Sequence, residues 1–206
     1  MNRIDEPRLE HDLDYRFGYL AEFIGFGPED HAAIQASAMY LGPMVPQLVE
    51  ATYQKLLGYD ATARHFLPRQ YGYEGELPAG LADLATSPQL QFRKEHLGRY
   101  FYQLLGRSFD AKMVRYLDMV GKIHTPKAGN AEIDVPLVQM NALMGLLGDV
   151  LTDVVSQLPL DPATMVKTIR AFHKVLWIQN DFITRHYVTA HPGLSVNGDA
   201  RLARQA

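Results

Sequence analysis

The residues best suited to chemistry in this chain are its eight histidines, because cysteine is absent from all 206 positions. Without thiols there is no disulfide framework, no iron–sulfur or zinc–thiolate centre and no cysteine nucleophile, so imidazole must carry any soft metal chemistry. His11, His31, His65, His96, His124, His173, His186 and His191 form no His-Glu-x-x-His zinc motif and no Glu-x-x-His pair of the di-iron kind. A phosphate-binding loop, a dinucleotide fingerprint and a Gly-x-Ser-x-Gly elbow are missing too. Most enzyme classes therefore have no foothold.

His124 stands apart from the others. Met113, Leu117, Val120 and His124 step by four, three and four residues, which puts the imidazole on the apolar face of one helix. The plain reading is a core histidine satisfied by a backbone carbonyl. The alternative is an axial ligand, since neutral imidazole at a helix end can reach into a cavity and hold haem iron. A flat apolar cofactor needs a second wall, and Leu90, Leu97, Phe101 and Leu104, spaced seven, four and three apart, supply one. Taken singly, those four residues read as ordinary helix–helix packing.

The elements that must position these walls follow from periodicity and breakers. Apolar residues recur at three- and four-residue intervals and alternating β-branched runs are nearly absent, so the chain reads as all α. One helix is expected from Leu9 to Ile24, closed by Gly25 and Gly27. A second starts at Pro28 and runs to Leu41, and a third has Pro43 and Pro46 in its first turn and ends near Gly58. A short helix from Asp60 to Phe66 precedes a long connection, Pro68 to Pro88. Ser87 caps a helix to Leu105. Asp110 opens another that must stop near His124, because Pro126 disfavours helical geometry at Thr125. Asp134 is expected to cap a helix through Leu158, and Asp161 with Pro162 to start the last, to Tyr187. Residues 190–206 read as a frayed tail, leaving 1–189 as a single domain.

With 47% hydrophobic and 21% charged residues the chain has the make-up of a soluble globular protein, and its length suits one enlarged domain. A net charge of −3 with mixed signs provides no basic stripe, so nucleic acid and anionic membrane are poor expectations for a partner. Neither a signal peptide nor a stretch of about 20 apolar residues stands out, so a cytoplasmic location is expected.

The run Val120-Gly-Lys-Ile-His-Thr-Pro-Lys127, followed by Asp134-Val-Pro136, resembles the proximal-histidine region of protoglobins and of the globin domains of globin-coupled sensors. Thr52-Tyr-Gln-Lys-Leu-Leu-Gly58 ahead of Arg64-His-Phe66, Gly106-Arg-Ser-Phe-Asp110, and Leu176-Trp177 resemble other parts of the same family in the same order. The resemblance covers roughly residues 10 to 188. It implies a globin fold, a three-over-three helical sandwich with an extra N-terminal helix, around one haem b. By that resemblance His124 is the proximal iron ligand, Tyr53 the distal residue, Leu97 the residue over the iron and Phe66 a contact at the haem edge. Leu146 and Val150 fall where side chains border ligand entry, and Phe101 and Val120 belong to the two walls. Trp177 is expected in the core, touching the proximal side of the ring. Thr52 departs from the family pattern, which has a tryptophan there, and a smaller residue leaves the distal side more open.

Arg93 and Lys94 are propionate candidates by charge, and as a charge pair they could equally form a solvated face. His96, 28 residues before His124, would be the distal residue of a naive globin reading, but with Leu97 over the iron it is turned about 100° away, to the rim. The implied ligands are O2, CO or NO, bound for sensing, transport or scavenging. The alternative is a haem enzyme, nitric oxide dioxygenase or peroxidase-like, which would need a separate reductase; a signalling role would need a separate partner. The stripe Leu143, Leu147, Leu151 and Val154 suggests a homodimer through the last two helices, although a globin core could use it internally.

Overall fold

The computed structural model describes residues 1–188, and the tail expected from 190 lies outside them. Helices α1 (Glu6–His11) and α2 (Leu13–Ile24) replace the single helix expected from Leu9. Asp12 separates them: its backbone is extended, and its carboxylate accepts the Tyr15 amide at 3.0 Å and pairs with Arg8 at 2.8 Å. An aspartate that can cap a helix from outside competes with continuing one through itself. Gly25 closes α2 in the left-handed region, at φ +68°, a conformation favourable only to glycine.

Helix α3 (Pro28–Leu41) follows, opened by Gly27, whose amide donates to the Asp30 carboxylate at 2.9 Å. A 3-10 turn, Gly42–Met44, leads into α4 (Val45–Leu57). The short α5 (Asp60–Ala63) and a 3-10 turn (Arg64–Phe66) come next, and the long connection contains one helical turn, α6 (Leu81–Leu84). Helices α7 (Pro88–Gly106) and α8 (Ala111–Lys122) have the expected caps, Ser87 and Asp110. A 3-10 turn at Pro126–Ala128 precedes α9 (Leu137–Ser156), and Asp161 caps α10 (Pro162–Thr184). The expected cap at Asp134 is corrected: Pro136, at φ −58° and ψ 140°, occupies the cap position with no side-chain bond, because a proline disfavours helical geometry at the residue before it and the helix cannot begin ahead of it. The described residues contain no strand.

The assembly is organised on α10, which packs on α9, α3 and α8, while α4 packs on α7. Its inner face, Ala171, Phe172, Val175, Ile178 and Phe182, is almost wholly buried. Trp177 is corrected here: it is 66% exposed, because it lies on the outer side of α10 from those residues. The stripe read as a dimer face also turns inward. Leu147 and Leu151 are buried, and Leu143 and Val154 pack on the same core. Helix α9 is nonetheless long and apolar enough to cross a membrane by length and composition, contrary to expectation, with only 33% of its most apolar stretch buried.

Helix α8 is seated on α10 by two features. Gln179, 1% exposed, donates its amide to the Leu117 carbonyl at 3.1 Å. At Gly121 the backbones nearly touch: a Cβ there would meet the Phe182 carbonyl and come within 2.9 Å of the Ile183 Cα. Backbone cannot move aside as a side chain can, so Gly121→Ala should cost about 1–3 kcal/mol, read as a lower urea midpoint. Gly145→Ala on α9 meets nothing within 4 Å and should hold or raise that midpoint, by up to roughly 1 kcal/mol from helix propensity.

Candidate functional site

Helix α8 ends at Lys122 because Thr125, ahead of Pro126, takes an extended conformation. His124 thus stands two residues beyond the helix rather than in its last turn. Its amide turns to the Gly121 carbonyl at 3.4 Å, so the Val120 carbonyl loses the backbone partner that a continuing helix would supply. The imidazole takes its place: Nδ1 lies 2.7 Å from the Val120 oxygen. A carbonyl can only accept, so the proton of the neutral ring sits on Nδ1 and the lone pair on Nε2. Nε2 makes no hydrogen bond among the described residues. The plain reading of His124, a histidine satisfied by a backbone carbonyl, is what the first nitrogen does; the second is left in the form that binds a metal.

Burial holds the His124 pKa below the usual imidazole value; the Val120 bond opposes this, and the Arg93 guanidinium adds to it. Arg93 comes from the first turns of α7, so α7 and α8 present their polar groups to the same space. Those helices do not pack closely on each other, although residues 107–110 alone join them. Leu97 on α7 and Val120 on α8 are half-buried, as are Leu146 and Val150 on α9. Phe101, Leu90 and Leu104 are buried deeper, and Phe101 and Leu104 line a small void with Leu48 and Phe172.

Arg93 is the least satisfied charge in the region. Burial pushes its pKa down to about 10, its Nε is buried with no partner, and Nη2 donates to the Pro68 carbonyl at 2.9 Å. Its guanidinium lies 5.3 Å from the Phe66 ring centre, and Phe66 is 5.5 Å from the Tyr53 ring. A buried guanidinium with one carbonyl partner calls for an anion. Lys94 is committed elsewhere, to Glu50 at 2.6 Å. Tyr53 is 6% exposed, its hydroxyl makes no hydrogen bond among the described residues, and burial raises its pKa well above the ordinary tyrosine value. His96 is exposed, bonded through Nδ1 to the Phe92 carbonyl at 2.7 Å, with its ring tilted against the Phe92 ring at 4.3 Å. Tyr53, Phe66, Arg93 and His124 thus converge, and Trp177 stands apart on the far side of α10.

Among the described residues no three histidine, aspartate or glutamate side chains gather as a metal site. An ion taken by His124 Nε2 must therefore arrive with its other ligands attached, as iron does in haem. The orphaned Arg93 Nε meets the need of a carboxylate-bearing macrocycle, so the residues present fit the group.

A family model described as Protoglobin matches residues 13–192. The chain belongs to the protoglobin family. Membership implies a haem cofactor and the binding of diatomic gases, and it agrees with the all-helical globin architecture. No curated protein matches the sequence. In this protoglobin the residues that sequence patterns missed are those that seat α8: Gln179, Gly121 and the turn after α10. A small residue inside an otherwise regular helix was the one available signal, at Gly121. The partners of Gln179 and Arg185 lie more than 60 residues away along the chain.

Protonating His124 breaks the Nδ1-donor, Nε2-lone-pair arrangement. Its folded pKa is depressed, so the unfolded chain binds more protons below the usual imidazole value of about 6.5, and stability falls as pH drops through that range. His31, His65 and His186 are shifted the same way and add to the slope. Urea midpoints of the apoprotein should therefore decline from pH 7 to pH 5, and less steeply in His124→Gln.

Proposed function

We propose that this protoglobin reversibly binds O2, CO or NO on a haem b whose iron is held by His124, for sensing, transport or scavenging. One observation supports this reading above the rest: the bond from Nδ1 to the Val120 carbonyl leaves Nε2 unprotonated, with its lone pair available to a metal. When bound, haem supplies the iron centre that takes the diatomic ligand. The chain's own groups do the remainder. Leu97, Val120, Leu146 and Val150 offer apolar walls that exclude water. Arg93 supplies the counter-charge for a haem carboxylate. Tyr53, kept protonated by burial, can donate its hydroxyl to a bound ligand carrying partial negative charge.

His124→Ala should abolish the Soret band of reconstituted protein, or reduce it to that of loosely bound haem. An unchanged spectrum would remove His124 from the iron. Tyr53→Phe should speed oxygen dissociation by about tenfold, the worth of one hydrogen bond to a polar ligand. Stopped-flow rates equal to those of the parent would remove Tyr53 from the distal role.

The same reading extends to a homodimer. Trp177 and Val166 are 66% and 53% exposed on α10, and α9 keeps much of its apolar surface uncovered. Asp149 and Asp153 on α9 and Arg170 on α10 are exposed and enter no ion pair among the described residues, so two copies related by a twofold axis could place opposite charges together. Sedimentation should show a dimer that Trp177→Arg converts to monomer. A parent protein that sediments as a monomer at micromolar concentration defeats this.

A further inference from the structure

The two residues that follow α10 do more than end it. Asp118 lies on α8, six residues before His124, and its carboxylate is taken by both of them. Arg185 Nη1 donates to Oδ1 at 2.5 Å, and His186 Nε2 lies 2.9 Å from the same oxygen and 3.1 Å from the Asp118 carbonyl. Asp118 and Arg185 side chains are each 17% exposed, so this pair is shielded from most of the screening that weakens surface bridges. The junction has a third arm in the amino-terminal helix: Arg185 Nη2 donates to the Glu10 carbonyl at 3.1 Å. Alongside, Arg16 on α2 grips Asp181 on α10 through two bonds, of 2.5 and 2.8 Å, and reaches the Leu9 carbonyl at 3.3 Å. On the far side of His124, Lys127 donates to the His186 carbonyl at 2.6 Å.

The segment that carries His124 is therefore tied to Arg185 and His186 before the histidine and to His186 after it, and Arg185 is braced by α1. A rotation of α8 about the Gly121 contact, where backbone meets backbone, would have to break what holds Asp118.

We propose that Arg185 and His186, acting through Asp118, are positioning residues for His124: they set the orientation of α8 and hence where Nε2 stands relative to the iron. The proposal rests on the haem reading of His124. None of the three residues touches the cofactor space on the proposal; they act through the helix, as the partners of a metal-binding imidazole act through its orientation. Glu10, by holding Arg185, makes the N-terminal helix the outer support of the proximal ligand.

The test uses the reconstituted ferrous protein and two readouts, the iron–histidine stretching band in resonance Raman spectra and the CO dissociation rate. Asp118→Asn keeps the shape and removes the charge that both arms grasp. Arg185→Lys keeps the charge but replaces the fork that spans Asp118 and the Glu10 carbonyl. Each should move the iron–histidine band and change CO dissociation by about two- to tenfold, at full haem loading. Glu29→Gln, which breaks the exposed bridge from α3 to Lys167 at the opposite end of α10, should leave both at the parent values. This control separates positioning from a general loss of stability. If Asp118→Asn does not fold, Arg185→Lys decides alone. A parental band and rate in the loaded Arg185→Lys protein overturn the proposal. Should His124→Ala keep the parent's haem spectrum, it is the haem reading that fails, a result distinct from a null effect at residue 185.

Discussion

The bond between the His124 imidazole and the Val120 carbonyl is the constraint on which the rest of the site depends. It exists because a helix stops one turn short. Pro126 extends Thr125, the backbone of residue 124 no longer reaches residue 120, and a carbonyl left without its partner accepts the side chain instead. That exchange satisfies the Val120 acceptor and selects one tautomer, leaving the lone pair on Nε2. Both follow from the placement of a single proline.

Around this bond the structure sets two kinds of support. The walls are apolar and incompletely covered: Leu97, Val120 and Val150 are half-buried at the margins of the core, and Leu146 is half-buried on α9. Polar groups at the edges are held short of partners: Arg93 has a buried Nε with nothing to donate to, and burial lowers its pKa to about 10. Tyr53 keeps its proton because the ionised form would be desolvated. An under-satisfied cation that faces both a protonated hydroxyl and an imidazole makes sense as part of the surroundings of an anionic cofactor. Each alone would be a defect of packing.

Much of this was legible in the residues. The caps Ser87, Asp110 and Asp161 act as their types and positions suggested, and the 113–117–120 step placed Met113, Leu117 and Val120 on the inward face of α8 because helix periodicity is a local property; His124 itself lies beyond the helix. The misreadings share a cause. Trp177 was assigned to the wrong side, and the Leu143–Val154 stripe, open to either a dimer face or the core, packs on the core; periodicity says which residues share a face but not what that face meets. Asp12 shifted a helix end by capping from its side chain and Pro136 by disfavouring helical geometry ahead of it, effects that strength of pattern does not rank. The seating of α8 had almost no sequence signal, since Gln179, Arg185 and His186 find their partners across the fold.

By itself, the sequence determined the helical class, most helix boundaries and the family resemblance that the match over residues 13–192 supports, and it singled out His124 as the candidate ligand. These depend on interactions within a few residues, or on a pattern kept along the whole chain. Only the tertiary structure decided which nitrogen of His124 is free, which cation lacks a partner, which face of α10 looks outward and what holds α8 in place. Those answers depend on which groups are brought within about 3 Å of one another by packing, and hydrogen-bond distance is a property of the folded chain alone.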